Sequence, residues 1–151
     1  MKDEERSSKL RFHKQEKAYS CAVACLKMVL QYFGRNIEES ELRKLCKTTE
    51  LGTYADDVVS CARELGFSAE KTYLSMGNLK KLTEKSVFPI VYVNTYVLNE
   101  IFATHAIIVE DVTDEEVLVI DPAEGRKKIS LEIFKRIWDF CNNLTVVIER
   151  G

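Results

Sequence analysis

Ser20-Cys21-Ala22-Val23-Ala24-Cys25-Leu26-Lys27-Met28-Val29-Leu30-Gln31-Tyr32-Phe33-Gly34 is the stretch on which the fold turns. Between Cys21 and Phe33 only Lys27 and Gln31 are long polar side chains, and they lie four residues apart on one helical face. The spacing predicts a helix buried over most of its circumference, with Gly34 as its C-terminal stop. Cys21 then stands at the helix N-terminus, where unpaired backbone N–H groups and the positive end of the helix dipole favour thiolate over thiol. The thiolate is the nucleophile, so this position suits a catalytic cysteine. Position alone carries little, because a buried cysteine is usually a small apolar packing residue.

Downstream, Ser40 reads as the N-cap of a short amphipathic helix through Lys47, with Leu42, Leu45 and Cys46 inward. Thr53 caps a third helix, whose Ala55, Val58, Val59, Ala62 and Leu65 recur at helical spacing. The second half alternates. Ser68 to Leu74 reads as a strand, Asn78 to Lys85 as a short helix, and Val87 to Asn94 as a strand with Pro89 near its start. Thr104 to Asp111 and Val117 to Asp121 form an antiparallel pair about the turn-prone Thr113-Asp114-Glu115. The basic run Arg126-Lys127-Lys128 reads as a solvated turn. Ser130 opens an amphipathic helix with Ile133, Phe134, Ile137 and Trp138 on one face, and Asn143 to Glu149 is a last strand. Helices come first and a sheet follows, which predicts one α+β unit.

Upstream, ten of residues 1–17 are Lys, Arg, Asp or Glu. Residues 1–14 are therefore read as a charged, solvated lead-in, with Leu10 and Phe12 docking as a short edge strand, and residues 15–151 as the folded domain. The 151 residues suffice for one domain. Lys plus Arg number 22 against 24 Asp plus Glu, a net charge of −2 that argues against bulk binding of nucleic acid or anionic lipid. The longest apolar run, Cys21 to Leu26, is far too short to span a bilayer. The charged start is no secretory signal, so the five cysteines are read as reduced thiols of a cytoplasmic protein.

Three further residues give Cys21 partners. His105 opens an apolar strand, a rigid mount for a general base, although a structural histidine at a strand edge is as common. Asp121 ends the neighbouring strand, so a hairpin brings it beside His105, where a carboxylate fixes the imidazole tautomer; taken alone it is a turn residue before Pro122. Gln15 precedes Cys21 by six residues, close enough for its amide and the Cys21 N–H to form an oxyanion hole.

With Gln15, Cys21 within SCAVACLKMVLQYFG, Thr104-His105-Ala106, and VLVIDPAEGRKKISLEIFKRIW, the chain resembles the bacteriocin-processing, double-glycine leader peptidases, a papain-like branch of the cysteine peptidases. The resemblance runs from about Gln15 to Glu149. It implies a papain-like α+β fold, N-terminal helices packed on a C-terminal antiparallel sheet, with Cys21 as nucleophile, His105 as base, Asp121 as orienter and Gln15 in the oxyanion hole. It also implies cleavage after Gly-Gly of a leader peptide, beside an ABC exporter supplied in trans, with no cofactor. Two features depart from the family pattern. Ser20-Cys21-Ala22 stands where Asp-Cys-Gly is usual, so Ala22 is expected to crowd the oxyanion site or shift what fits it. No exporter portion follows, and the Met1 start leans toward a stand-alone relative over an excised domain.

Two other readings stay open at this point: a papain-like acyltransferase using the same thioester, and a non-catalytic module that holds a peptide in the cleft. Cys25, one turn after Cys21, is read as a core thiol, with redox resolution as the lesser reading, and Cys46, Cys61 and Cys141 as packing residues. No ligand spacing suggests a metal site. The loops Leu51 to Tyr54 and Tyr96 to Phe102 are expected to line the substrate pocket.

Overall fold

The computed structural model describes residues 10–100 and 103–151, apart from the side chains of Val97 and Asn99. Helix α1 (Cys21–Tyr32) forms where the apolar run predicts it, and every residue from Ala22 to Leu30 is buried. Lys27 is no exception: its Nζ donates to Asn36 Oδ1 at 3.0 Å and to the Ile37 carbonyl at 2.7 Å, so its charge enters the interior already solvated by protein. Gly34, at φ +91°, turns the chain out of the helix. Helices α2 (Glu39–Leu45) and α3 (Ala55–Glu64) follow, then strand β1 (Phe67–Tyr73) and helix α4 (Met76–Glu84). Strand β2 (Ile90–Asn94) leads through the short helix α5 (Tyr96–Asn99) to β3 (Thr104–Val112). Strands β4 (Glu116–Asp121) and β5 (Gly125–Ser130), helix α6 (Leu131–Asp139) and strand β6 (Leu144–Arg150) complete the chain.

The strands form one sheet in the order β1-β6-β2-β3-β4-β5, with every neighbouring pair antiparallel. Alternation along β2 and β3 sends Ile90, Tyr92, Ala106 and Ile108 to the face covered by α1, α2 and α3. Val91, Val93, Ile107 and Val109 face the opposite way, against Leu79 of α4 and Phe134, Ile137 and Trp138 of α6. The architecture is α+β as expected, with a helical layer on each face of the sheet.

Several boundaries differ from expectation. The second helix starts at Glu39, with Ser40 inside it. Thr53 caps nothing; its hydroxyl meets that of Thr48 at 2.7 Å and closes the base of a tight turn over residues 49–52. Ser75 caps α4, accepting the Asn78 N–H. Strand β2 begins after Pro89, which lacks an N–H for the ladder. The larger correction concerns Arg126-Lys127-Lys128, which is the middle of edge strand β5 and not a turn. An edge strand needs one apolar face at most, and here only Ile129 supplies it, so polarity concealed the strand.

Of the lead-in, residues 1–9 lie outside the described residues. The segment from Leu10 to Ser20 pairs with no strand, contrary to the expected edge strand, yet it is tied down along its length. Leu10 is buried, and its carbonyl accepts from Arg126, which also forks onto Glu110 at 2.9 and 3.1 Å. The Gln15 N–H donates to the Pro122 carbonyl at 2.8 Å. Glu39, with none of its surface exposed, takes His13 Nε2 and the Glu16 N–H, each at 3.0 Å, and pairs with Arg43. This strap delivers the chain to Cys21. Removing Glu39 takes the acceptor away from His13 and from the Glu16 N–H, so Glu39→Ala is expected to lose about 1–3 kcal/mol in urea unfolding.

Candidate active site

Three elements end at one rim of the sheet. α1 brings Cys21 at its first position, with no side chain capping the helix and no acidic residue in its first turn. β3 brings His105, paired across to Val93 of β2, and β4 ends on Asp121. Gly125, at φ +106°, permits the tight return from Asp121 into β5.

The three side chains form a hydrogen-bonded row. His105 Nε2 lies 2.8 Å from Asp121 Oδ1, and the Cys21 and His105 side chains hydrogen-bond to each other. With Nε2 committed to Asp121, Nδ1 is the ring nitrogen left for the sulfur. Asp121 Oδ1 also accepts the Ala123 N–H at 2.8 Å, while Oδ2 lies 3.1 Å from Lys127 Nζ. Burial alone would push the Cys21 thiol up. The hydrogen bond and charge of His105, with the backbone N–H groups of Ala106 and Ala22, outweigh it and hold Cys21 below the usual thiol range. Burial likewise opposes charge on His105, but Asp121 and the Cys21 sulfur raise it to about 9. Asp121, which burial would raise, is brought down to about 2 by His105, the Ala123 N–H and Lys127. These opposed shifts, Cys21 down and His105 up beside a carboxylate held low, favour a thiolate–imidazolium pair.

Ala106 shows how α1 is seated. Continuing the Ile108↔Ile120 register by two residues sets Ala106 opposite Pro122, which has no N–H to give. The Ala106 carbonyl accepts from the Cys25 thiol at 3.5 Å instead. Burial and the nearby charges of Cys21 and Asp121 push Cys25 well above the usual thiol range, which suits this donor role. All five cysteines are free thiols.

Gln15 reaches the same rim through its bond to Pro122, and its amide nitrogen is bonded to the strap itself. Nε2 donates to the carbonyls of Lys17 at 2.8 Å and Ala18 at 3.2 Å, so both of its hydrogens are engaged within the strap. Ala22 is buried in the core, and its backbone N–H serves Cys21. The cleft itself measures about 720 Å³. Glu50, Leu51 and Gly52 form one lip and Leu98 with Ile133 another, so part of each expected loop contributes; residues 101–102 lie outside the described residues. Leu51, at the tip of its turn, is 95% exposed.

Lys127 and Glu124 also line this cleft and were missed by inspection of the sequence. The available signal was Lys127's position two residues past the Asp-Pro-x-x-Gly turn, pairing with Val119. Among the described residues, His13, Glu16 and Glu39 bring ligand atoms within 4.8 Å of one another, but Arg43 already pairs with both carboxylates, so the cluster is balanced by protein alone.

A sequence model of the peptidase C39 family matches residues 9–149. The chain belongs to that family of cysteine peptidases. It is 31% identical over 133 residues to an uncharacterized protein of Methanothermobacter thermautotrophicus, covering 88% of this chain and 84% of that one. It is also 34% identical over 134 residues to the transport/processing ATP-binding protein ComA of Streptococcus pneumoniae, covering 86% of this chain but only 18% of ComA. With the lactococcin-G-processing and transport protein LagD of Lactococcus lactis, identity is 28% and coverage 82% of this chain and 17% of LagD. In fold, the C39 chain resembles the peptidase domain of Streptococcus ComA (TM-score 0.80, 24% identity, 94% and 99% coverage). It also resembles a double glycine motif protease from an AMS/PCAT transporter in complex with the leader peptide (TM-score 0.78, 23% identity, 94% and 92% coverage). No helix among the described residues is long and apolar enough to cross a membrane.

The opposed shifts of Cys21 and His105 have measurable consequences. Iodoacetamide at pH 7 is expected to label Cys21 well before Cys46 or Cys141, and His105→Ala to slow that labelling roughly tenfold or more. Equal labelling of the three cysteines in folded protein would contradict the pairing. Because His105 is raised from 6.5 to about 9, its contribution to stability is complete below about 6.5 and lost as pH rises through about 9. Asp121, lowered from 3.8 to about 2, contributes above about 3.8 and ceases to as pH falls through about 2.

Proposed function

We propose that the protein is a cysteine peptidase that cleaves a precursor peptide after the Gly-Gly of its leader. The observation that carries this reading is the Cys21–His105–Asp121 row, hydrogen-bonded throughout, opening onto a cleft at the uncapped end of a buried helix. The family membership and the leader-peptide complex of a structural neighbour support the substrate class.

The chemistry follows from the charges already present. The Cys21 thiolate attacks the carbonyl carbon of the scissile peptide, and the carbonyl oxygen takes up negative charge. The helix N-terminus and the Cys21 backbone N–H face that charge. Gln15 joins them when its longer bond, to Ala18, is released. The His105 imidazolium gives its proton to the leaving amine, the C–N bond breaks, and a thioester remains on Cys21. Neutral His105 then takes a proton from water, whose oxygen attacks the thioester. Collapse releases the carboxylic acid and restores the thiolate. Asp121 holds the ring in the tautomer this needs. In this reading the protein works in the cytoplasm, where free thiols stay reduced, on a precursor whose exporter is supplied in trans.

Purified protein incubated with a synthetic precursor carrying Gly-Gly is expected to yield two fragments divided after the second glycine, identified by mass spectrometry. Cys21→Ala should abolish cleavage and His105→Ala lower it about 10²–10⁴-fold. An intact precursor with wild-type protein whose Cys21 labels rapidly would exclude this substrate class.

A further inference from the structure

Lys127 stands outside the acid–base row yet touches it. Along β5 the side chains alternate, so the three consecutive cations part company. Arg126 forks onto Glu110, and Lys128 lies 3.9 Å from Glu116, while Lys127 alone reaches the end of β4. Its Nζ sits 3.1 Å from Asp121 Oδ2 and 2.8 Å from Glu124 Oε1. Asp121, only 7% exposed, is thereby held at both oxygens: Oδ1 by His105 and the Ala123 N–H, Oδ2 by Lys127. A carboxylate gripped this way cannot turn its charge away from the ring.

The same contact limits the charge. A cation on the far oxygen draws on the negative charge that stabilises the imidazolium, and Glu124 draws that cation back. The groups around His105 are Cys21 and Cys25 from α1, Asp121 from β4, Lys127 from β5, Glu124 from the turn, and Glu50 across the cleft. We propose that Lys127, restrained by Glu124, is a positioning residue that orients Asp121 and sets how tightly His105 holds its proton. The kinetic meaning rests on the peptidase reading, since an imidazolium held too tightly is a poor acid toward the leaving amine.

The test follows the His105 ring by NMR titration, assigned against the only other histidine, His13, with His13→Gln as the reference. In Lys127→Met the midpoint is expected to rise by roughly half to one pH unit, and in Glu124→Gln to fall by a smaller amount. Lys127→Arg should restore the wild-type midpoint. In precursor cleavage, Lys127→Met should lower kcat roughly three- to tenfold with KM little changed. Midpoints that stay put, or that move the same way in Lys127→Met and Glu124→Gln, overturn the proposal. Opposite shifts in a protein that cleaves no precursor would uphold the role of Lys127 and sink the peptidase reading instead.

Discussion

Helix α1 has no polar face with which to meet solvent, and the rest of the structure follows from that constraint. Nine consecutive buried residues, Ala22 to Leu30, oblige the chain to wrap the helix on all sides. β3 supports it from beneath, α2 and α3 flank it, and the strap from Leu10 to Ser20 crosses its mouth. Burying a Val, Leu or Met side chain is worth roughly 1.5–3 kcal/mol, and Val23, Leu26, Met28, Val29 and Leu30 of this helix are all buried. Cys21, at its N-terminus, is only part-buried and lines the cleft.

The seat of α1 and the chemistry of the site are joined through one peptide unit. Ala106 gives its N–H to Cys21 and its carbonyl to Cys25, because Pro122 leaves the ladder open at that register. The residue before it is His105, and the residue before Pro122 is Asp121. A single proline thus ends β4 at the carboxylate and frees the strand beside the histidine to be bonded by the helix. Cys21 is held by bonds between α1 and the strand that carries His105.

Charge at the site is distributed over more groups than Cys21, His105 and Asp121. Desolvation works against every ion there, and each is retained only because a partner within hydrogen-bond distance offsets it. Cys21 is balanced by His105, His105 by Asp121, and Asp121 in part by Lys127, which Glu124 holds in turn. The chain of partners runs from the buried end of α1 to the exposed edge of β5, where solvent takes over.

The sequence by itself determined the elements whose physics is local. The apolar circumference of α1, the Ser130 cap of α6, the hairpin of β3 with β4 and the Asp-Pro turn were all legible, because helical spacing, strand alternation and turn residues act within a few positions. The candidate pair of Cys21 and His105 was legible as position, not as contact. Only the tertiary structure decided that β5 is a strand, since an edge needs little apolar pattern and takes its register from β4. It alone decided that Glu39 anchors the strap, that the Gln15 amide faces its own loop, and that Lys127 grips Asp121. The Glu39 contact to His13 and the Lys127 contact to Asp121 join groups that the sequence holds apart and only the folded chain brings to hydrogen-bond distance, while the Gln15 bonds depend on how the strap folds back on itself.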